Sequence, residues 1–217
     1  MNFKTQLKGK TMPKIKILDH ALAKTYTTVI RDKNTTPELF RANINRLTIL
    51  LIAEACKNLP LKDVEVETPI AITTGAELCE QIAFVPIIRA GIGMCDAALE
   101  LMPSAEIFHL GMYRDEETFE PIEYYQKFSP KIPDRAFIID PMLATGGSAD
   151  SAIERVKKWG VKDIQMLCII AAPEGVKLLN KNHPNVPIYT CVLDDHLNEN
   201  AYIIPGLGDA GDRIFNT

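Results

Sequence analysis

The stretch AFIIDPMLATGGSADSAIERVKKWG, Ala136 to Gly160, sets an apolar run, one acid, a glycine pair and an amphipathic helix in direct succession. Ala136 to Ile139 has the length and character of a buried strand, and Asp140 falls at its carboxyl end, where open α/β sheets gather their ligands. Thr145, Gly146, Gly147 and Ser148 turn the chain. Ala149, Ala152, Ile153, Val156 and Trp159 then recur at helical spacing, with Gly160 as the stop. The turn therefore opens on a helix N-terminus, whose unpaired N–H groups suit an anion.

Two glycines let the backbone approach phosphate oxygens, and the hydroxyls of Thr145 and Ser148 add hydrogen bonds. A carboxylate beside such a cradle repels the anion unless something else needs it, and sugar hydroxyls or a magnesium ion are the natural candidates for Asp140. Phosphate, sugar and metal together suggest a phosphorylated ribose. An ordinary glycine turn is the plainer alternative, and the acid and two hydroxyls weigh against it.

The rest of the chain reads as scaffold around this unit. Its 217 residues suffice for one α/β domain, the formal charge is only −4, and no strongly basic stretch implies a nucleic-acid partner. No segment has the apolar length of a membrane span, and the lysine-rich start lacks the apolar centre of a secretion signal. Residues 1–16 read as a leader and 17–217 as a single domain. Cys56, Cys79, Cys95, Cys168 and Cys191 are odd in number and widely spaced, which suits reduced thiols in the cytoplasm. Thr35 or Thr36 can cap a helix with Pro37 in its first turn and Leu39, Phe40, Ile44, Leu47, Leu50, Leu51 and Ala55 facing inward. Strand-like runs recur at Val64–Val66, Ile70–Thr73, Ile82–Ile88, Ile107–Leu110, Ala136–Ile139, Ile164–Ile170 and Ile188–Leu193. Helical stretches at Ile92–Leu101 and Pro173–Asn180 supply crossovers, so the expected fold is α/β with a mainly parallel central sheet flanked by helices.

The nine residues Asp140 to Ser148, DPMLATGGS, resemble the phosphoribosyl-diphosphate loop of type I phosphoribosyltransferases, and a single acid followed by Pro141 resembles its uracil-specific branch. Three further segments resemble the same family in the same order: VPIIRAGIGMCD (Val85–Asp96), GMYRDEETFEP (Gly111–Pro121) and YIIPGLGDAGDRIF (Tyr202–Phe215), with AAPEG (Ala171–Gly175) between the last two. The resemblance implies a C-terminal hood that binds a base, and transfer of phosphoribose from 5-phospho-α-D-ribose 1-diphosphate (PRPP) to uracil, giving UMP and diphosphate in pyrimidine salvage. It implies PRPP contacts from Arg89, Arg114, Asp140, Pro141, Met142, Leu143, Ala144, Thr145, Gly146, Gly147, Ser148 and Asp209. Uracil contacts fall on Ile203, Gly208, Asp209 and Ala210. Asp209 and Arg114 are the catalytic candidates, with Asp209 either assisting deprotonation of uracil N1 or orienting a metal shell. Mg2+ would be carried mainly by PRPP, with no residue assigned to it directly. The same resemblance implies a homo-oligomer, dimer or tetramer, and a GTP effector at a site the sequence does not locate.

The chemistry agrees with these assignments. Planar guanidinium groups can hold diphosphate oxygens in pairs. Uracil offers two N–H donors and two carbonyl acceptors, a pattern main-chain groups can complement, whereas cytosine reverses part of it and would leave buried groups unpaired. The acids Asp115, Glu116, Glu117, Glu120 and Glu123 do not have EF-hand spacing; the resemblance makes their segment a flap over the diphosphate. Gly206, Gly208 and Gly211 match G-x-G-x-x-G, but six residues remain after them, too few for a dinucleotide-binding unit. His20, His109, His183 and His196 are too scattered to nominate a metal site, and GGSAD is not a nucleophile turn. A regulatory protein that senses UMP or PRPP without turnover is the alternative, and the retention of Arg89 and Arg114 argues against it.

Overall fold

The computed structural model describes residues 15–114, 121–126 and 128–217, without the side chains of 112–114, 121–124 and 126. Residues 1–14 of the expected 1–16 leader, the acids Asp115, Glu116, Glu117 and Glu120, and the side chains of Arg114 and Glu123 lie outside the described residues, and with them most of the expected flap, while Ile15 and Lys16 belong to a strand. The chain runs β1 (Ile15–Ile17), α1 (Ala21–Arg31), α2 (Pro37–Cys56), β2 (Leu61–Glu67), β3 (Ile72–Leu78), β4 (Ile82–Ile88), a 3-10 turn (Ala90–Met94) and α3 (Cys95–Leu101). It continues as β5 (Glu106–Ile107), β6 (Leu110–Arg114), β7 (Pro121–Gln126), β8 (Arg135–Ile139), β9 (Met142–Leu143) and α4 (Gly147–Trp159). Then follow β10 (Asp163–Ala171), α5 (Pro173–Asn182), β11 (Ile188–Leu193), β12 (His196–Leu197), β13 (Ile203–Ile204) and α6 (Ala210–Phe215).

The central sheet has the order β1-β11-β10-β8-β4-β6-β7 and is parallel except for the β6–β7 pair. Successive strand residues point to opposite faces, so each strand feeds two cores. Phe137 and Ile139 of β8 join Phe84, Leu167, Phe40, Ile44 and Leu47 on the face covered by α1, α2, α3 and α6. Ala136 and Ile138 join Val85, Met166, Ile153, Val156 and Leu179 on the face covered by α4 and α5. This double burial explains why the central strands read as unbroken apolar runs. All five cysteines are free. Among the described residues no helix is long and apolar enough to cross a membrane.

Several expectations are corrected. α2 starts as expected, with Thr36 Oγ accepting the Leu39 N–H at 3.4 Å and Pro37 in the first turn, but Leu39 faces solvent at 46% exposure. The first turn of α2 overhangs the core, so the inward stripe begins at Phe40. Val64–Val66 and the stretch expected at Ile70–Thr73 do not enter the sheet. They belong to a separate antiparallel hairpin, β2–β3, with Ile70 at its turn and 96% exposed. In LKDVEVE the alternation puts Asp63, Glu65 and Glu67 on one face, so the strand cannot be buried on both faces as a parallel sheet requires. Ile107–Leu110 divides into β5 and β6. The gap lies beside Pro86 of β4, which has no N–H to give the ladder.

Candidate functional site

The DPMLATGGS segment is stitched to the sheet before it reaches its turn. The Pro141 carbonyl accepts N–H groups from Ile169 and Ile170 at 3.0 Å each, and Leu143 O accepts that of Ala172 at 2.8 Å. Pro141 and Leu143 are buried, so their side chains support the loop from below, while Asp140, Met142, Ala144, Thr145, Gly147 and Ser148 keep some exposure. Gly146 precedes α4 in the left-handed conformation, φ +89°, and the helix has no side-chain cap. Its first turn is thus left to whatever binds there. The turn lines a cavity of about 70 Å³ walled by Asp140, Met142 and residues through Ala149.

The sequence reading did not see how this turn is supported from α5. A Cβ on Gly146 would meet Gly175 Cα at 3.1 Å, and one on Gly175 would meet the Ala144 carbonyl at 2.4 Å. Two glycines back to back let the α5 start lie against the loop. AAPEG carried the signal, but only the packing gives its reason. Asp150, in the first turn of α4, interacts with Asn182 Nδ2 at 2.8 Å and lies 3.0 Å from Nε2 of buried His183. Its carboxylate is thereby engaged with the end of α5.

Asp140 lies at the end of β8 with Oδ1 accepting the Met142 N–H at 3.3 Å. Burial raises its pKa from 3.8 to about 7, opposed by that hydrogen bond and assisted by the negative charge of Asp209. The two acids singled out from distant segments are therefore near enough for the charge of one to act on the other. Asp209 caps α6 by accepting the Asp212 N–H at 2.9 Å. Gly208 and Asp209 are exposed, whereas the side chains of Ile203 and Ala210 sit in the α2-side core. Those two anchor the segment with their side chains, which leaves only their main chain for any contact outside the core.

Arg89 follows β4, and its guanidinium donates to Asp212 Oδ1 at 2.7 Å and Thr217 Oγ at 3.3 Å. The arginine expected at the diphosphate thus reaches the C-terminal segment expected at the base. Arg114 ends β6, whose Leu110 and Gly111 pair with Ile87 and Ile88 of β4, the two residues before Arg89. A larger cleft of about 420 Å³, lined by Glu77, Glu80, Met102 and Glu106, lies at the amino ends of β4 and β5. None of the expected site residues lines it, and ligands of open α/β sheets bind at the opposite, carboxyl end.

The family model described as uracil phosphoribosyltransferase matches residues 17–217, which takes in the loop, both arginines and the whole C-terminal segment. The chain belongs to the uracil phosphoribosyltransferase family. It is 50% identical over 208 residues to the uracil phosphoribosyltransferase of Lactiplantibacillus plantarum, covering 95% of this chain and 100% of that one. It is 51% identical over 203 residues to the uracil phosphoribosyltransferase of Dictyoglomus thermophilum, covering 93% and 98%. A solved protein structure from Aquifex aeolicus superposes with a TM-score of 0.88 at 38% identity, covering 93% of this chain and 97% of that one. The adenine phosphoribosyltransferase of Trypanosoma brucei, at 14% identity and a TM-score of 0.51 over 92% and 90%, shares the fold alone.

Proposed function

We infer that the chain is a uracil phosphoribosyltransferase of pyrimidine salvage, converting uracil and PRPP to UMP and diphosphate. The observation that carries this reading is a glycine-turned helix start after Asp140 together with a GLGDAGD segment whose Asp209 is close enough for its charge to act on Asp140. Uracil N1 attacks the anomeric carbon, the bond from that carbon to the diphosphate oxygen breaks, and the N1 proton is lost. Positive charge develops on the ribose and negative charge on the leaving group. Arg89 and Arg114 hold the diphosphate, main-chain N–H groups from Thr145 to Ser148 hold the 5′-phosphate, and Asp140 accepts from the ribose hydroxyls. Gly208 and Asp209, with the main chain of Ile203 and Ala210, hold the uracil plane, and Asp209 receives the N1 proton or orients a hydrated cation.

Asp140 and Asp209, near enough for one charge to act on the other, would suit a hydrated magnesium ion carried by PRPP, while no group of three or more acids, histidines or cysteines forms a metal cage among the described residues. Asp140 and Asp209 would face its water shell. Magnesium, when bound, supplies positive charge to the departing diphosphate. The reading extends to residues 17–217 as one catalytic domain, a homo-oligomer in the cytoplasm, and a response to GTP, each resting on the family resemblance.

The test is formation of UMP and diphosphate from uracil, PRPP and magnesium, with cytosine, orotate and hypoxanthine in parallel and GTP present or absent. Uracil-dependent release of both products is expected. Binding of UMP or PRPP without turnover of any base would replace the enzyme by a sensor.

A further inference from the structure

Two arginines and one buried acid hold the glycine-rich turn ahead of Asp209; Arg31 and Asp194 lie outside the motifs that pointed to the site, and Arg213 lies within the C-terminal one. Arg31, the last residue of α1, forms a two-pronged ion pair with Asp194, and its Nη1 also donates to the Gly206 carbonyl at 2.8 Å. Asp194 Oδ2 accepts the Gly206 N–H at 3.0 Å. Both polar main-chain groups of Gly206 are therefore taken by this one pair. Arg213 serves the next residue: its Nη1 donates to Leu207 O at 2.8 Å and to Ile30 O, its Nη2 to Asp32 O at 2.6 Å, and its guanidinium lies 4.3 Å from the Phe40 ring centre. The end of α1 and the turn at 206–207 are thus tied together from both sides.

Gly206 itself has φ +62°, and a Cβ there would meet the Ile203 carbonyl at 2.1 Å, so the turn closes tightly on Ile203. The Asp194 side chain is 3% exposed. An ion pair taken out of water rarely adds net stability over apolar residues of the same shape, so its burial here calls for a different return. What it fixes is the main chain between Ile203 and Gly208, two of the residues read as uracil contacts.

We propose that Arg31 and Asp194 are positioning residues for the base: by holding both main-chain groups of Gly206 they set the Ile203–Gly208 segment at the distance uracil requires, leaving the phosphoribose side of the site untouched. This rests on the uracil reading above. Arg31 touches no residue of the Asp140–Ser148 loop among its recorded partners, so the effect should divide between the two substrates.

The test compares the full-length parent with Arg31→Lys, Asp194→Asn and the double variant Arg31→Met/Asp194→Leu, which removes both charges and leaves none buried alone. Steady-state KM for uracil and for PRPP, kcat, and thermal unfolding are measured on each. The expected result is a KM for uracil raised at least about tenfold, equivalent to about 1.4 kcal/mol, with KM for PRPP within about twofold. The double variant keeps the raised uracil KM even where its unfolding temperature returns to that of the parent. Both KM values moving together, neither moving in folded variants, or loss of folding in all three would overturn the proposal, because the pair would then hold the fold as a whole. Failure of the parent to use uracil at all would instead overturn the reading on which the proposal stands, and the parent is assayed first.

Discussion

Replacing Asp140 by asparagine should make the protein more stable and less active, with the gain in stability set by pH. In the folded chain the carboxyl holds its proton up to about pH 7, whereas an unfolded aspartate releases it near 3.8. Below 3.8 both states are protonated and the group contributes nothing. Between 3.8 and about 7 the folded state retains a proton that the unfolded state gives up, so stability falls as pH rises, and above 7 the whole cost is present. The gap, at about 1.4 kcal/mol per pH unit, sets a ceiling of about 4 kcal/mol. Asp140 is only partly buried, so solvent screening brings the expected figure to about 2 kcal/mol. An asparagine keeps an oxygen for the Met142 N–H and carries no charge to bury. Urea unfolding of parent and Asp140→Asn at pH 5 and pH 8 should therefore show a difference of about 2 kcal/mol at pH 8 that shrinks towards pH 5. The same variant loses a charged acceptor for ribose hydroxyls, each such bond contributing about 1.5–3 kcal/mol, so kcat/KM for PRPP should fall by about 10- to 100-fold or more. A variant that is no more stable at pH 8, or whose stability difference ignores pH, would refute the argument that this acid is held at a cost.

Three other outcomes follow from the same geometry. Arg114→Ala should weaken PRPP binding far more than uracil binding, and equal loss of both in calorimetric titrations would remove it from the diphosphate. Gly175→Ala puts a Cβ 2.4 Å from the Ala144 carbonyl, so α5 or the loop must move; KM for PRPP should rise about tenfold with a loss of about 1–3 kcal/mol in stability, and an unchanged KM would show that the contact is not needed to shape the turn. Asp212→Asn releases Arg89 from a half-exposed ion pair worth about 0.2–1 kcal/mol, so diphosphate should bind up to about fivefold more tightly at low salt, and weaker binding would mean that Asp212 aligns the arginine instead of competing for it.

Reading the sequence reached the central sheet because its strands are buried on both faces and announce themselves as unbroken apolar runs, and it reached Asp140 and the Gly146–Gly147 turn because strand, acid, glycines and helix are consecutive. It misplaced the stretch at Ile70–Thr73, since a short apolar run in an exposed hairpin carries the same local signal as one in the central sheet, and only the absence of a partner face separates them. Leu39 was drawn inward by helical spacing that knows nothing of where the core begins. Arg31 and Asp194 lie 163 positions apart and had no local signature at all. Gly175 was noticed as part of a motif, yet its reason is a backbone contact with Ala144 that no spacing rule describes. What the chain keeps local is legible, and what it assembles by folding the two ends of the sequence together is not.

The two cores on either side of the sheet support the candidate site unequally. Ile203, Leu207, Ala210 and Ile214 are rooted in the core under α2, whereas Leu143, Ala149, Ile153 and Val176 are rooted in the core under α4 and α5. Met142 and Ala144 of the loop also lean on the core under α2, so the loop draws on both faces of the sheet while the C-terminal segment draws on one. A cavity opened under α2 should therefore be felt by both segments, whereas one opened under α4 and α5 should reach the loop first.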